Sequence, residues 1–477
     1  MKYKSFKRAQ LWPKFRCRSV FDESLLAWLV FSNYGVVFVN DLSAVMDTIA
    51  NQAAVLLLDL PPKSLAGIDL LSFTTTARFK GVRNLHQGWH FIFCSSNASF
   101  SVRHGAWFQV KQNSLNEPEL HVKRWDVENE HLIQEANQTE LMKLHANLGS
   151  IWRENLTPYR QPSSHDTSSF NGVAEEQSAD WKHLTNCISP SLLSRILGDC
   201  TNHWTISSAS SAKVDADDIP NLYAHGAEGS EVQQEKELHF LPIDLKRTWP
   251  ANATGRERTE AARDHSWYLN FLIERHCTNK DDKEVVGELQ FCFLMVLCLN
   301  NFSCLEQWKR VLSLLFTSFN AVAEKPELFV KAIRMVGLHF KHANDAEGGI
   351  FDLDDEGGKL IKSLLRKFKL GLKEVESLGI QGVLEELEEL ETFLRSELGW
   401  ELDEVILKHG FVQLEDGEMV QADLSDDDED EETGEYAPMV VELTDDQLKS
   451  LGRVEELGED RMLDDDDQVV EEMDVRY

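Results

Sequence analysis

The sequence predicts a multidomain α+β protein: an antiparallel, sandwich-like or barrel-like β domain first, an all-α domain second, and a disordered acidic tail last. Three observations predict this order. Short apolar runs alternate with glycines in residues 53–126, helical periodicity runs from about 256 to 410, and residues 415–477 hold 26 acidic against 4 basic residues. A chain of 477 residues is also longer than one hydrophobic core sustains.

The N-terminal 46 residues do not conform to the pattern of the rest. Residues 1–18 contain seven bases and no acid, and an apolar run follows at 25–39. That run is shorter than the roughly 20 residues that a membrane-spanning helix needs. We therefore interpret residues 1–46 as a disordered extension, or as sequence preceding a true start at Met46, and expect no membrane association; an anchor is the alternative.

Residues 47–200 predict a β-rich domain with trailing helices. Short strands with turn residues at close spacing are typical of antiparallel units. Leucines at helical spacing predict a helical stretch over 130–155. A Ser-rich loop is expected at 160–180, and a short helical region at 181–197.

The helical domain is predicted over residues 236–410, after a linker at 201–235. Apolar periodicity places helices at 259–277, 284–299, 304–319, 327–342, 358–370 and 384–398. Asn300-Asn301 and Pro326 mark breaks between them. Ordinary helix lengths and short connections favour an antiparallel stack over one long coiled coil.

The tail, residues 411–477, carries most of the formal net charge of −33. Its acidic stretches cannot bury enough apolar surface to offset chain entropy. The segment 437–443 is the exception, since Met439, Val440, Val441 and Leu443 are apolar. We expect these four residues to bind a partner by adding a strand to an exposed sheet edge. An alternative of equal weight is that they pack back onto a domain of this same chain. Ser425 precedes Asp426-Asp427-Asp428-Glu429 in a longer acidic run and is a candidate phosphorylation site.

No catalytic, cofactor-binding or metal-binding constellation emerges. Asp352-x-Asp354-x-Glu356-Gly357 begins like a calcium loop, but Ser363 stands where that loop needs a bidentate Glu. Ser164-His165-Asp166 are chain neighbours, whereas catalytic triads assemble from separate elements. His339 lies among apolar residues and is interpreted as a hydrogen-bonded core or rim histidine. The negative charge also argues against direct nucleic-acid binding.

Motifs in one order carry a family resemblance. In the first half stand Leu58-Asp59-Leu60-Pro61, Gly67-Ile68-Asp69, Phe79-Lys80-Gly81-Val82 and Gly88-Trp89-His90-Phe91; in the second half stand Gly287-Glu288-Leu289-Gln290-Phe291 and Glu306-Gln307-Trp308-Lys309-Arg310. This series resembles the A1 cistron-splicing factor family, the Aar-two proteins. Ala437-Pro438 and the residues that follow resemble the family's C-terminal element.

The resemblance implies a non-catalytic assembly factor of the U5 small nuclear ribonucleoprotein, without a cofactor. Its partner would be the RNase H-like and Jab/MPN-like C-terminal region of the large spliceosomal scaffold, pre-mRNA-processing factor eight. The factor would delay association of the particle's helicase, and its helical domain would be VHS-like. We expect a monomer in the cytoplasm and nucleus. A generic acidic chaperone of basic clients is the alternative, and an enzyme is a third option without a supporting motif.

Overall fold

The computed structural model describes residues 49, 52–96, 101–111, 118–159, 180–200, 202–217, 236–343, 356–375, 378–402, 408–413 and 419–424. Within these ranges, two five-stranded sheets occupy the first half of the chain, with strand orders β8-β7-β1-β4-β9 and β10-β6-β5-β2-β3. The strands are β1 (Ala53–Leu58), β2 (Leu65–Ile68), β3 (Leu71–Thr74), β4 (Gly81–Leu85), β5 (Gly88–Ser95), β6 (His104–Val110), β7 (Glu119–Asp126), β8 (His131–Gln134), β9 (Leu156–Pro158) and β10 (Trp204–Ser207).

The first sheet is mixed. Strand β1 runs antiparallel to β4, with Val55 opposite Val82, and parallel to β7, with Val55 opposite His121. Parallel neighbours need a long crossover, and here the intervening chain builds most of the second sheet. Gly81 is required at the β1–β4 contact, because its φ is +149° and a Cβ would lie 2.0 Å from the Val55 carbonyl oxygen.

The second sheet is a middle layer that is buried on both faces. Along β5, Trp89, Phe91 and Phe93 pack with the helices, whereas Ile92 and Cys94 pack between the two sheets. Side chains alternate between faces along a strand, so a strand covered on both sides is apolar throughout. This explains the nearly continuous apolar run of β5.

Helices occur in both halves of the chain and dominate the second half. They are α1 (Gln138–Ala146), α2 (Leu148–Glu154), α3 (Pro190–Leu197), α4 (Lys213–Asp217), α5 (Gly255–Arg263), α6 (Ser266–His276), α7 (Lys283–Leu299), α8 (Phe302–Phe316), α9 (Ala321–Glu324), α10 (Pro326–Ala343), α11 (Glu356–Glu374) and α12 (Gln381–Glu397). Residues 180–184 are also helical. A helix that crosses a bilayer must be long and almost wholly apolar, and none of the described helices meets both conditions.

Helix α7 is the centre of the helical part. Almost all of its residues are buried, including Glu288 and Gln290. Asn300 ends α7 in the left-handed conformation, and the Asn301 side chain accepts a hydrogen bond from the Cys304 amide at the start of α8. The Asn-Asn pair is therefore both a C-cap and an N-cap, which is why the sequence break predicted the helix boundary correctly.

The predicted fold class, a β-rich region followed by a helical region, is confirmed. Differences arise in the details. The stretch predicted as one helix over 259–277 is two helices, because the backbone at Asp264 is extended. Within the stretch predicted as helical over 130–155, residues 131–134 form strand β8. Within the predicted linker 201–235, β10 pairs with β6 and buries Trp204 and Ile206.

A separate two-stranded hairpin follows residue 402. Strand β11 (Lys408–Gln413) pairs antiparallel with β12 (Met419–Leu424), and Val412 lies opposite Val420. The prediction of a disordered tail beginning at residue 411 is wrong for these strands. Aromatic and β-branched residues favour strands, and the sequence between them contains Asp416-Gly417, a pair favoured in hairpin connections.

Candidate interaction surfaces

The seam, defined here as the contact of helix α7 with the second sheet and residues 180–197, joins the β-rich and helical parts. The Cys298 thiol donates to the Asp69 carbonyl oxygen at 3.3 Å, and Arg103 Nη1 donates to the Cys298 carbonyl oxygen at 3.1 Å. The Trp107 ring stacks on Trp181, with centroids 6.0 Å apart. The two parts therefore share one core rather than touching through a polar surface.

A buried ion pair lies in the seam. Glu288 is fully buried, and its Oε2 lies 2.8 Å from Arg195 Nη2. The same carboxylate accepts from the Leu241 amide at 3.0 Å and from Gln307 Nε2 at 2.8 Å. Burial alone would lower the pKa of Arg195, but the Glu288 carboxylate raises it above its usual value. Several donors compensate the buried charge, as a buried ion requires.

Gln290 and Gly287 allow α7 to pack closely against residues 180–197. Gln290 Oε1 accepts from the Cys187 amide at 3.0 Å, while its Nε2 donates to the His183 carbonyl oxygen at 2.9 Å. A Cβ on Gly287 would lie 2.5 Å from the Cys187 carbonyl oxygen. The backbone thus approaches α7 so closely that only glycine fits at this position.

Asp69, His90 and Tyr159 form a buried hydrogen-bonded cluster. The Asp69 carboxylate accepts from the Phe91 amide at 2.8 Å and from the Tyr159 hydroxyl, and it lies 2.7 Å from His90 Nδ1. His90 Nε2 faces the His86 carbonyl oxygen at 2.8 Å. Both ring nitrogens face acceptors, which favours the imidazolium: burial opposes it, but Asp69 raises the pKa of His90. The cluster fixes the β2–β3 turn, where Asp69 has a φ of +57°.

A cavity of about 890 Å³ opens beside β8 and β10, and its mixed lining includes the titratable side chains His104, His131, His203 and Lys236. The buried Lys123 amine lies behind this wall, 2.9 Å from His203 Nδ1 and 3.3 Å from the Asn202 carbonyl oxygen. Burial lowers the pKa of Lys123 to about 7, and burial together with Lys123 lowers the pKa of His203 to about 3. Lys123 is therefore a buried base whose hydrogen-bond partners are neutral.

A second concavity, the α10/α12 groove, has a volume of about 640 Å³. Its apolar lining includes Met335, Leu338, Leu390 and Phe393 from the two helices. His183, Asn186 and Val286 close it at the seam side. The groove exposes less polar surface than the cavity beside β8 and β10, and a mainly apolar concavity is typical of sites for other macromolecules or apolar ligands.

The rim of the α10/α12 groove is charged. Lys331, Arg334 and Lys341 stand on α10, at the same helical face as Leu338. Arg334 Nε contacts Glu386 of α12 at 2.6 Å, and Lys341 Nζ contacts Asp180 at 2.8 Å. The three basic side chains remain 36–65% exposed. Their apolar stems frame the groove and their charges face water.

The sequence-predicted partner residues lie outside the described residues: Met439, Val440, Val441, Leu443 and the phosphorylation candidate Ser425. The Ser164-His165-Asp166 run and most of the calcium-like loop also lie outside them.

His339 is a core histidine as predicted: it is fully buried, accepts from Trp308 Nε1 at 3.1 Å and stacks on Phe293. Among the side chains that the structure describes, no group of three or more His, Cys, Asp or Glu is arranged to hold a metal ion.

Sequence reasoning missed the α10/α12 groove. The stripe of Lys331, Arg334, Leu338 and Lys341 is readable at spacings of three and four residues, and Gly337 interrupts a helical pattern. That signal marks an exposed helix face. Whether a facing helix covers the stripe depends on where α12 packs, which the spacing does not encode.

These features define a two-part α+β protein with a fused core and open surfaces suited to macromolecular contacts. Comparison with known families makes this specific. Residues 51–198 match the model of the AAR2 N-terminal domain, and residues 240–403 match the AAR2 C-terminal repeat region. The chain belongs to the AAR2 family. At the level of the family, it is a splicing-related factor of U5 small nuclear ribonucleoprotein assembly.

Curated relatives are similar to this chain over more than half of its length. The AAR2 homologues of Mus musculus and Homo sapiens are each 26% identical over 308 residues, covering 60% of this chain and 74% of the relative. The Caenorhabditis elegans AAR2 homologue is 24% identical over 313 residues, covering 61% of this chain and 79% of the relative.

Proposed function

We propose that this protein is a non-catalytic assembly factor that binds the RNase H-like and Jab/MPN-like C-terminal region of the U5 scaffold, pre-mRNA-processing factor eight, and delays helicase association. The observation that carries the proposal is the match to both AAR2 regions on one fused body. A body whose two parts share a core presents fixed surfaces to a large partner. We place the factor in the cytoplasm and nucleus as a monomer with a VHS-like helical domain.

The absence of catalysis is part of the proposal. Its support is that three buried acid–base groups, Asp69, His90 and Glu288, have roles in the fold. Asp69 and His90 are buried and tie the β2–β3 turn to β5. Glu288 is buried in a pair with Arg195. Such groups stabilise the body and are closed to a substrate.

The tail supplies the proposed contact with the scaffold. Met439, Val440, Val441 and Leu443 would add a strand to an exposed sheet edge, where main-chain hydrogen bonds give affinity and alternate side chains give specificity. Ser425 lies in an acidic stretch that precedes this segment. A phosphate there adds about −1.5 to −2 charges and would weaken docking on an acidic edge.

The test is a pull-down of the scaffold's C-terminal fragment by the full chain at low and high salt. One variant replaces Met439, Val440, Val441 and Leu443 by Ala. The matched control replaces Asp464, Asp465, Asp466 and Asp467 by Asn, which removes four charges and leaves the apolar segment intact. We expect salt-resistant binding that the Ala variant loses and the Asn variant retains.

The same experiment separates the competing class, a generic acidic chaperone. Screening shortens the reach of exposed charges to about 8 Å at physiological salt, so a charge-only interaction fails in high salt whichever segment is changed. Binding lost in high salt regardless of the Ala substitutions contradicts the assembly-factor proposal. Helicase delay has its own readout: the full chain should slow helicase binding to the scaffold fragment, and the Ala variant should not.

Phosphorylation of Ser425 is tested with Ser425→Ala and Ser425→Asp in the full chain. We expect the Asp variant to differ from the Ala variant in affinity for the scaffold fragment. Equal affinities would remove Ser425 from the proposal without affecting the role of residues 439–443.

A further inference from the structure

The α10/α12 groove is an open trough about three helical turns long. Lys331 and Lys341 mark its ends on α10, and ten residues of helix span roughly 15 Å. An occupant that lies along the groove would insert one apolar row, as amphipathic helices do in grooves.

Gly337 keeps the groove open. It stands in the middle of α10, where glycine is less favourable than alanine. Packing does not require it, since a Cβ at this position would lie 3.6 Å from Leu390 Cδ1, an ordinary van der Waals contact. A longer side chain at residue 337 would project into the space that an occupant needs.

The exposed charge on the α10 side of the groove is basic, although the chain as a whole has a net charge of −33. Lys331, Arg334 and Lys341 are partly exposed, while Glu386 is 90% shielded beneath Arg334. Glu389 is the exposed acid among the lining residues that the structure describes. A partner with carboxylates beside its apolar row would complement this rim.

We propose that the α10/α12 groove binds an acidic amphipathic segment of a partner protein. The segment inserts apolar side chains over Leu338, Leu390 and Phe393, and its carboxylates face Lys331, Arg334 and Lys341. This surface is separate from the tail segment assigned to the scaffold, so the inference goes beyond the proposed function and does not depend on it.

The test uses two synthetic helical peptides of about 16 residues. Both carry leucines at positions i, i+4, i+7 and i+11; one has glutamates on the flanks and the other has lysines. Fluorescence anisotropy with the full chain should show the glutamate peptide binding at least about tenfold more tightly. Because the total charge of the chain attracts the lysine peptide, equal or tighter binding of that peptide overturns the proposal.

Two substitutions of one residue locate the peptide. Gly337→Gln fills the groove and should reduce affinity for the glutamate peptide by at least about tenfold, whereas Gly337→Ala should leave it unchanged. Circular dichroism confirms that both variants fold. Equal binding to the two variants overturns the assignment of the groove.

Lys331→Gln is the variant that stays informative if Gly337→Gln fails to fold. The contact of Lys331 with Glu327 is long, at 3.8 Å, and Glu327 is 90% exposed, so the substitution leaves the fold intact. We expect affinity for the glutamate peptide several-fold weaker, and no change would contradict the role of the rim. Self-association that light scattering detects and that Gly337→Gln abolishes would assign the groove to a second copy of this chain and overturn the proposal. Binding of the same variants to the scaffold fragment is measured in a separate pull-down.

Discussion

Two glycines show how differently the seam and the α10/α12 groove are built. Both stand inside long helices, where glycine costs roughly 0.5–1 kcal/mol relative to alanine. At Gly287 in the seam, a Cβ would lie 2.5 Å from the Cys187 carbonyl oxygen. At Gly337 in the groove, the nearest atom would be 3.6 Å away.

These distances distinguish a glycine that close packing requires from a glycine that packing does not require. The seam needs its glycine because two backbones touch there, and its buried charges are matched by partners. The groove has a glycine that packing does not need, an apolar lining and basic side chains that remain exposed. A residue that lowers stability and that packing does not require is a candidate for a functional role.

Glu288→Ala should be the most damaging change in the seam. It removes the carboxylate that compensates buried Arg195, and breaking a buried pair by removing one partner costs about 3–5 kcal/mol. Urea unfolding monitored by circular dichroism measures the loss. The matched control, Glu260→Ala, removes an exposed i,i+4 pair with Arg256 and should stay within about 0.5 kcal/mol. Equal effects of the two substitutions would refute the structural role of Glu288.

Gly287→Ala should lower the free energy of unfolding by about 1–3 kcal/mol, the range for overpacking a tight contact. The cause is the close approach of the Cys187 carbonyl oxygen, because backbone cannot move aside as a side-chain end can. Thermal and urea unfolding of the full chain check the value. A neutral or stabilising result would contradict the close packing of α7 against residues 180–197.

Lys123 makes stability depend on pH. Its pKa is lowered by burial to about 7 in the folded protein, whereas an unfolded lysine releases its proton near 10.4. Between these values the unfolded state binds more protons, so the free energy of unfolding rises with pH. The contribution falls as pH drops from about 10 to about 7, with a slope approaching 1.4 kcal/mol per pH unit.

Lys123→Met removes this titration and serves as the reference. The stability difference between the wild type and the variant, measured by urea unfolding from pH 7 to 9.5, should grow in favour of the wild type as pH rises. Parallel pH profiles would mean that Lys123 keeps its proton in the fold. Unlike Glu288, then, Lys123 is accommodated by losing its charge.

Gly337→Ala should be the smallest effect and the opposite in sign to Gly287→Ala. Alanine raises helix stability by up to about 1 kcal/mol over glycine, and the new methyl group makes only an ordinary contact with Leu390. The same unfolding experiment measures the gain. Destabilisation would show that the groove at residue 337 is closed by packing and would end the contrast with Gly287.

Local signals in the sequence predicted the helical part well. The periodicity over 284–299 and 327–342 corresponds to α7 and α10, and Asn300-Asn301 correctly marked the break after α7. The periodicity and the break depend only on residues that are close together in the sequence. The fold class followed from them without knowledge of the tertiary contacts.

Long-range contacts were not predictable in the same way. The parallel pairing of β1 with β7 joins residues more than 60 positions apart, and β10 reaches β6 across about 100 positions. Glu288 and Lys123 look like ordinary charged residues in the sequence, and their burial depends on which distant segments cover them. The α10/α12 groove was missed for the same reason, since α12 creates it by packing beside a stripe that α10 already displays.

The most direct measurement is hydrogen–deuterium exchange of the full chain with and without the glutamate peptide. We expect slower exchange in residues 331–341 and 386–393, which border the groove, and no change in α3 or α7 at the seam. A peptide that protects the seam, or that leaves both groove segments unchanged, would contradict the division of the molecule into a fixed seam and an open binding groove.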